Sequence, residues 1–398
     1  VRRTGILTVT VRNRRSCALR AATAIAVVGA VLVVGAVGAT AALRIPSPVS
    51  LVKLATRQPS TQGELFASHE IDASPNPRPL SVATKPLPTT VPWAGKNIPI
   101  EEFITRTSTN SFLVMRHGEL VHEWYREGFE ATTRQSSWSV AKSIVSLLVG
   151  HAIDRGILSE TDRLVDILPE LRTGTNYDDI TVHNLLDMTS GVDVSENYNP
   201  YFPLTGTARM LLTTDLDQFL GDHRELVFQP GSKGEYRSVD TQLLGAVLAR
   251  KEGRPLSDIL RDDLWAPIGA QDAATWNLDR AGGEEKAFCC INATARDFAK
   301  IGKLVMDGGM VDGTSVVPAE WITRISTPAP NLVDEWGYSA QWWHPSGGSG
   351  QDFSAIGVYG QYIYIDPVTQ TVIVKLSDHG AEQDEQQTID VFRALARS

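Results

Sequence analysis

The chain has 398 residues, 42% hydrophobic and 21% charged, a balance that suits a globular protein of one large or two medium domains. Its formal net charge is −9 and no basic stripe marks the part expected to fold, which argues against nucleic acid as a partner. With Cys17 far from the adjacent pair Cys289-Cys290, no disulfide framework is expected, and the pair reads as small buried core residues because a bridge between neighbours would be strained.

Arginines crowd the amino end, at positions 2, 3, 12, 14, 15 and 20, and define a basic tail over 1–20. Residues 21–43 then carry no charge and are built from Ala, Val, Gly, Leu, Ile and Thr, long enough to cross a bilayer, which needs about 20 residues. Positive charge ahead of the run predicts one N-terminal transmembrane helix with a cytoplasmic amino end and an exported body. The alternative is a cleavable signal ending near Ala39-Thr40-Ala41. Residues 44–98 contain Pro46, Pro48, Pro59, Pro75, Pro77, Pro79, Pro86, Pro88 and Pro92 among Ser, Thr and Asn, the composition of an extended tether.

The folded body is predicted over 99–398. Residues 111–125 read as a β-hairpin turning at His117-Gly118. Helical patterns follow at 242–250, 256–264 and 294–305, then two strands at 360–366 and 370–376, and a closing helix at 388–397. Strands at both ends with helices between predict an α/β (α+β) fold, an antiparallel sheet flanked by helices plus a mostly helical subdomain.

Within this frame Ser139-Val140-Ala141-Lys142 places a hydroxyl and an amine one helical turn apart, on one face. Serine is a poor nucleophile until a base takes its proton, and an uncharged lysine can do so. A second match, Ser50-Leu51-Val52-Lys53, falls in the predicted tether. Ser139 differs because Ile144, Leu147, Leu148 and Ile153 follow it at helical spacing and the run stops near Gly156. It therefore opens a buried helix, whose free N–H groups and positive dipole end favour a developing oxyanion.

The motif is followed by Gly156-Ile157-Leu158-Ser159, by Leu168-Pro169-Glu170-Leu171, and by Ile180-Thr181-Val182-His183-Asn184-Leu185-Leu186-Asp187-Met188-Thr189-Ser190-Gly191. That order resembles the β-lactamase-related serine hydrolases, with class C β-lactamases, D-alanyl-D-alanine peptidases and esterases among them, over about residues 99–395. The resemblance implies a second motif, Tyr-x-Asn or Tyr-x-Ser, matched by Tyr236-Arg237-Ser238 after Gln229-Pro230-Gly231. Tyr236 would relay a proton to the leaving group and Ser238 would support that network. The third motif departs from the lactamase pattern. Where Lys-Thr-Gly would bind a substrate carboxylate stands Asp352-Phe353-Ser354, and the following Ala355-Ile356-Gly357-Val358-Tyr359-Gly360-Gln361 is similar to the 6-aminohexanoate-dimer hydrolase branch.

The resemblance thus implies acyl transfer on a small amide or ester, with Ser139, Lys142 and Tyr236 catalytic and the backbone N–H groups of Ser139 and Ile356 holding the oxyanion. A cell-wall D-alanyl-D-alanine carboxypeptidase or β-lactamase is one alternative; a non-catalytic penicillin-binding-like sensor is another, against which the intact triad speaks. Trp138, Tyr359 and His344 are candidates for the substrate pocket, and Tyr198, Tyr201 and Phe202 for an aromatic wall. No metal-spaced His/Cys set, phosphate-binding glycine loop or Gly-x-Ser-x-Gly elbow occurs, so no metal or other cofactor is expected.

Overall fold

The computed structural model describes residues 34–196, 204–348, 350–379 and 384–398. The chain divides into two units, Val1–Ala55 and Thr56–Ser398. In the first, residues 34–42 are helical and a further helix begins at Pro48. No described helix is long and apolar enough to cross a membrane. Residues 21–33 of the expected span, Cys17 and the basic tail lie outside the described residues.

The second unit is built on a seven-stranded antiparallel sheet. In chain order its strands are β1 (Thr109–Arg116), β2 (Glu119–Tyr125), β3 (Gly337–Ser339), β4 (Trp342–His344), β5 (Phe353–Gly357), β6 (Gln361–Asp366) and β7 (Thr371–Ser377). Their spatial order is β3-β4-β5-β6-β7-β1-β2, so the carboxyl-terminal hairpin β6–β7 lies against the amino-terminal hairpin β1–β2, with Val374 opposite Leu113. The predicted turn between β1 and β2 forms at His117 (φ 49°) and Gly118 (φ 79°), two left-handed residues that match the twist of the paired strands.

Alternation along the strands supplies two cores. Phe112, Val114, Tyr362, Tyr364 and Ile373 face a helix α4 (Glu385–Ala396) through Ile389, Phe392 and Leu395. Leu113, Met115, Ile363, Val372 and Val374 face the larger core. That core takes in α1 (Val140–Asp154), α2 (Ser238–Glu252) and α3 (Ala295–Met306). Gly302 of α3 lets the helix lie close to the sheet: a methyl there would meet Val372 Cγ1 at 2.4 Å.

The predicted tether is different. From Pro59 onward the proline-rich stretch is stitched to the body by named bonds. Ser68–Ile71 pairs antiparallel with Ala274–Asn277, at the edge of a second, four-stranded sheet completed by Ile291–Ala293 and Gln135–Ser136. Ser60 N–H donates to Asp378 Oδ1 at 2.7 Å and Asn277 Nδ2 to the Gly63 carbonyl at 2.9 Å. Pro59 opens a short 3-10 helix and Pro92 sits within the paired strand Thr90–Trp93, so the prolines here do not keep the backbone from pairing.

Candidate active site

Ser139 caps the amino end of α1 and is followed by twelve buried helical residues, including Lys142. The turn into α1 has an unusual backbone, since Trp138 has φ 45°. A bulky residue adopts that conformation only where neighbours hold it. Trp138 Nε1 donates to the Pro59 carbonyl at 3.2 Å, and its ring meets Tyr359 edge-on at 5.0 Å between centroids. These two residues buttress the turn and are absent from the lining of the cavity at Ser139, contrary to their expected role.

Lys142 Nζ lies 2.8 Å from Ser139 Oγ and 2.8 Å from the Phe288 carbonyl oxygen. It is 1% exposed. Burial pulls its pKa down to about 7, with Glu196 opposing, so at neutral pH a large share of the amine is free to accept a proton. The Tyr236 ring stands 5.1 Å from Nζ. Burial, then Glu196, raise the phenol's pKa well above normal, while its hydrogen bond to Ser139 works the other way. Tyr236 accordingly remains protonated and able to donate.

The strand β5 passes beside the serine. A methyl at Gly357 would sit 3.0 Å from Ser139 N and 2.8 Å from the Ser137 carbonyl, so only glycine fits. Its neighbour Ile356 lines the same cavity as Ser139, so the residues of both expected oxyanion donors border one cavity. Ser238, at the start of α2, bonds a carboxylate rather than the Ser139–Lys142 pair: its Oγ donates to Glu196 Oε2 at 3.1 Å and its N–H to Oε1. Arg237 holds the same loop by donating to the carbonyls of Val192 (2.7 Å) and Val194 (3.1 Å).

The cavity at Ser139 measures about 370 Å³ and is lined by Tyr236, Trp336, Trp343, Ile356, Val358 and Gln386 together with three carboxylates, Glu196, Asp334 and Glu385. No lysine or arginine is among these lining residues. Burial raises the pKa of Asp334, with the charges of Glu235 and Glu196 adding, and burial carries Glu385 to about 7, with Asp334 and Asp384 adding. Sequence reasoning missed all three acids, which belong to no motif. Two larger clefts, about 620 and 780 Å³, lie elsewhere and contain neither Ser139 nor Lys142.

The missing lysine of the third motif has a structural counterpart. Asp352 turns away into a buried ion pair with Arg393 of α4, Nε to Oδ2 2.8 Å, and accepts the Tyr364 hydroxyl at 3.2 Å. His344 is no pocket residue. It is 6% exposed, hydrogen-bonds the Ile325 carbonyl through Nε2 at 3.0 Å, and burial lowers its pKa to about 4. Tyr198, Tyr201 and Phe202 lie outside the described residues. Cys289 and Cys290 are buried as expected, yet they are joined to each other as a disulfide, which sequence reasoning had set aside. Among the described residues no cluster of His, Cys, Asp or Glu could hold a metal.

A serine hydroxyl in reach of a buried lysine of lowered pKa, at the start of a helix beside an antiparallel sheet, is the arrangement of a serine hydrolase. The Beta-lactamase family model matches residues 100–397, and the chain belongs to that family. The 6-aminohexanoate-dimer hydrolase of Paenarthrobacter ureafaciens is 31% identical over 326 residues, covering 74% of this chain and 81% of the relative. The esterase EstB of Burkholderia gladioli is 29% identical over 180 residues, 40% of this chain and 45% of the relative. Among solved structures, a Bacillus anthracis protein assigned as a 6-aminohexanoate-dimer hydrolase superposes with a TM-score of 0.77 at 22% identity, covering 85% of this chain and 93% of that one.

Proposed function

We propose that this serine hydrolase cleaves small amide or ester substrates through an acyl-enzyme on Ser139 and prefers those carrying a positive charge near the scissile bond. The observation that carries the reading is the buried Lys142 Nζ, 2.8 Å from Ser139 Oγ. Lys142 takes the hydroxyl proton as Oγ attacks the carbonyl carbon. The oxyanion settles against the N–H groups of Ser139 and Ile356. Tyr236 donates its proton to the departing nitrogen or oxygen and is restored through Lys142. Water then attacks the acyl-enzyme by the reverse route and frees the acid.

Charge supports the substrate preference. Among the described residues three carboxylates and no lysine or arginine line the cavity, which suits an ammonium and disfavours the carboxylate of a β-lactam or a D-alanyl-D-alanine peptide. The Paenarthrobacter relative is named for the 6-aminohexanoate dimer, an amide with one free amino end and one free carboxylate end, and its amino end is the feature proposed to face the acidic lining here. Small amides with a free amino end are the substrate class proposed for this chain. Residues 21–43 are proposed to span a membrane and leave the body outside the cytoplasm; their lack of charge after six arginines supports this. Protease treatment of intact cells would digest the body if it is exported and spare it if it is not.

The decisive measurement compares turnover of a p-nitrophenyl ester, the 6-aminohexanoate dimer and a chromogenic cephalosporin by wild type and Ser139→Ala. Turnover of the first two, lost in the variant, supports the reading. Cephalosporin turnover rivalling the ester's overturns it in favour of a β-lactamase.

A further inference from the structure

The segment 288–291 touches Lys142 and the turn that leads into Ser139, and a covalent ring sits in its middle. Phe288 offers its carbonyl to Lys142 Nζ at 2.8 Å. Three residues on, Ile291 N–H donates to Ser137 Oγ at 3.1 Å and the Ile291 carbonyl accepts from Ser137 N–H at 2.7 Å, two residues before the nucleophile. Between them Cys289 and Cys290 are joined to each other.

That short span is fastened at every carbonyl. The Cys289 carbonyl accepts from Trp276 Nε1 at 3.1 Å, and the Cys290 carbonyl accepts from Asn277 N–H at 3.1 Å and Asn292 Nδ2 at 3.3 Å. Cys290 holds φ 74°, a left-handed conformation that a side chain disfavours on its own. Joining neighbouring side chains removes rotational freedom from both residues, which makes such a conformation cheaper to keep. Both cysteines are buried within the larger core, beside the catalytic helix.

We propose that the Cys289–Cys290 disulfide is a positioning element for catalysis: it fixes the Phe288 carbonyl so that the Lys142 amine presents its lone pair to Ser139. A neutral amine has two N–H bonds and one lone pair. With one N–H committed to Phe288, the lone pair is free to face Oγ. Without the ring the carbonyl wanders, the amine rotates, and water reaches a group that burial had kept neutral. The inference rests on Lys142 as the base, as proposed above.

The full chain is purified without reductant and compared as wild type, Cys289→Ser, Cys290→Ser and the double variant, with a p-nitrophenyl ester as substrate. Mass measurement after alkylation of the denatured wild type counts its free thiols. A dithiol then reduces the native wild type: the reagent's two thiols close to its own disulfide, and its two electrons and two protons end on the sulfurs of Cys289 and Cys290. The expected result is a fall in kcat/KM of about 10- to 100-fold in the variants and in the reduced protein. The acidic limb of the pH profile should move up by about one unit as Lys142 regains water, and reoxidation of the reduced wild type should restore both. An unchanged kcat/KM, or a loss uniform across pH, overturns the proposal, as do alkylated Cys289 and Cys290 in the unreduced protein. If the variants do not fold, the reduced wild type decides alone. Ser139→Ala and Lys142→Met run alongside: near-wild-type activity of Lys142→Met refutes the base assignment and of Ser139→Ala the nucleophile, failures separate from that of the disulfide.

Discussion

Among the described residues, two places put a serine hydroxyl against a buried lysine. At one, Lys142 meets Ser139 on α1; at the other, Lys375 donates to Ser377 two residues along β7. Burial brings both lysines to about 7. Ser139 opens on a cavity of about 370 Å³, whereas Ser377 is fully buried, with its N–H and carbonyl tied to the Gln361 side chain. Ser139 also sits at a helix start, where the positive end of the dipole favours a developing negative charge, while Ser377 lies in a strand with its N–H bonded to the Gln361 side chain. A lowered lysine pKa and a hydroxyl in reach therefore do not make a nucleophile. Access and a place for negative charge do.

The comparison is broken most sharply by removing each hydroxyl. Ser139→Ala should lower ester turnover by at least about 10⁴-fold and abolish the acyl-enzyme seen by mass spectrometry. Ser377→Ala should leave turnover within about twofold, and a large loss would mean that β7 takes part in the chemistry. Removing each amine comes next: Lys142→Met should cost about 10²–10⁴ in kcat/KM. Lys375→Met should leave kcat/KM nearly unchanged.

The pH dependence separates the sites further. Protonated Lys142 cannot accept the serine proton, so kcat/KM should rise with pH through about 7, and Lys375→Met should keep that limb in place. Stability carries the other signature. Each of these lysines binds its proton more weakly when folded, so the unfolded chain holds more protons between about 7 and about 10.4, and stability rises with pH across that window. Lys375→Met should flatten the rise in urea titrations and stabilise the protein at pH 7, by on the order of 1 kcal/mol. The smallest effect expected is on substrate choice: Glu385→Gln should raise KM for a cationic ester a few-fold more than for a neutral one. Equal changes would disconnect the acidic lining from binding.

Much of the catalytic pair was legible because it is local. Ser139 and Lys142 are three residues apart, and the apolar spacing of Ile144, Leu147 and Leu148 fixes which way their helix faces. The β1–β2 hairpin was legible for the same reason. What stayed hidden depends on partners far along the chain. Ser68–Ile71 looks like linker because its pairing partner Ala274–Asn277 is some 200 residues away, and proline-rich flanks outweigh four residues of strand. Glu196 enters the site only because Arg237 and Ser238 hold its loop. His344 sits beside a tryptophan pair that suggested a pocket, yet its ring stacks on Phe353 in the core.

The contact from Trp138 to the Pro59 carbonyl moves the functional boundary of the enzyme. A protease cutting near Ile98 would release a fragment that keeps every motif residue but loses the peptide that steadies the nucleophile's turn. Such a cut would silence the enzyme rather than shed it. Anyone transplanting the activity onto another protein should begin the graft near Gln58, forty residues ahead of where the motifs suggest.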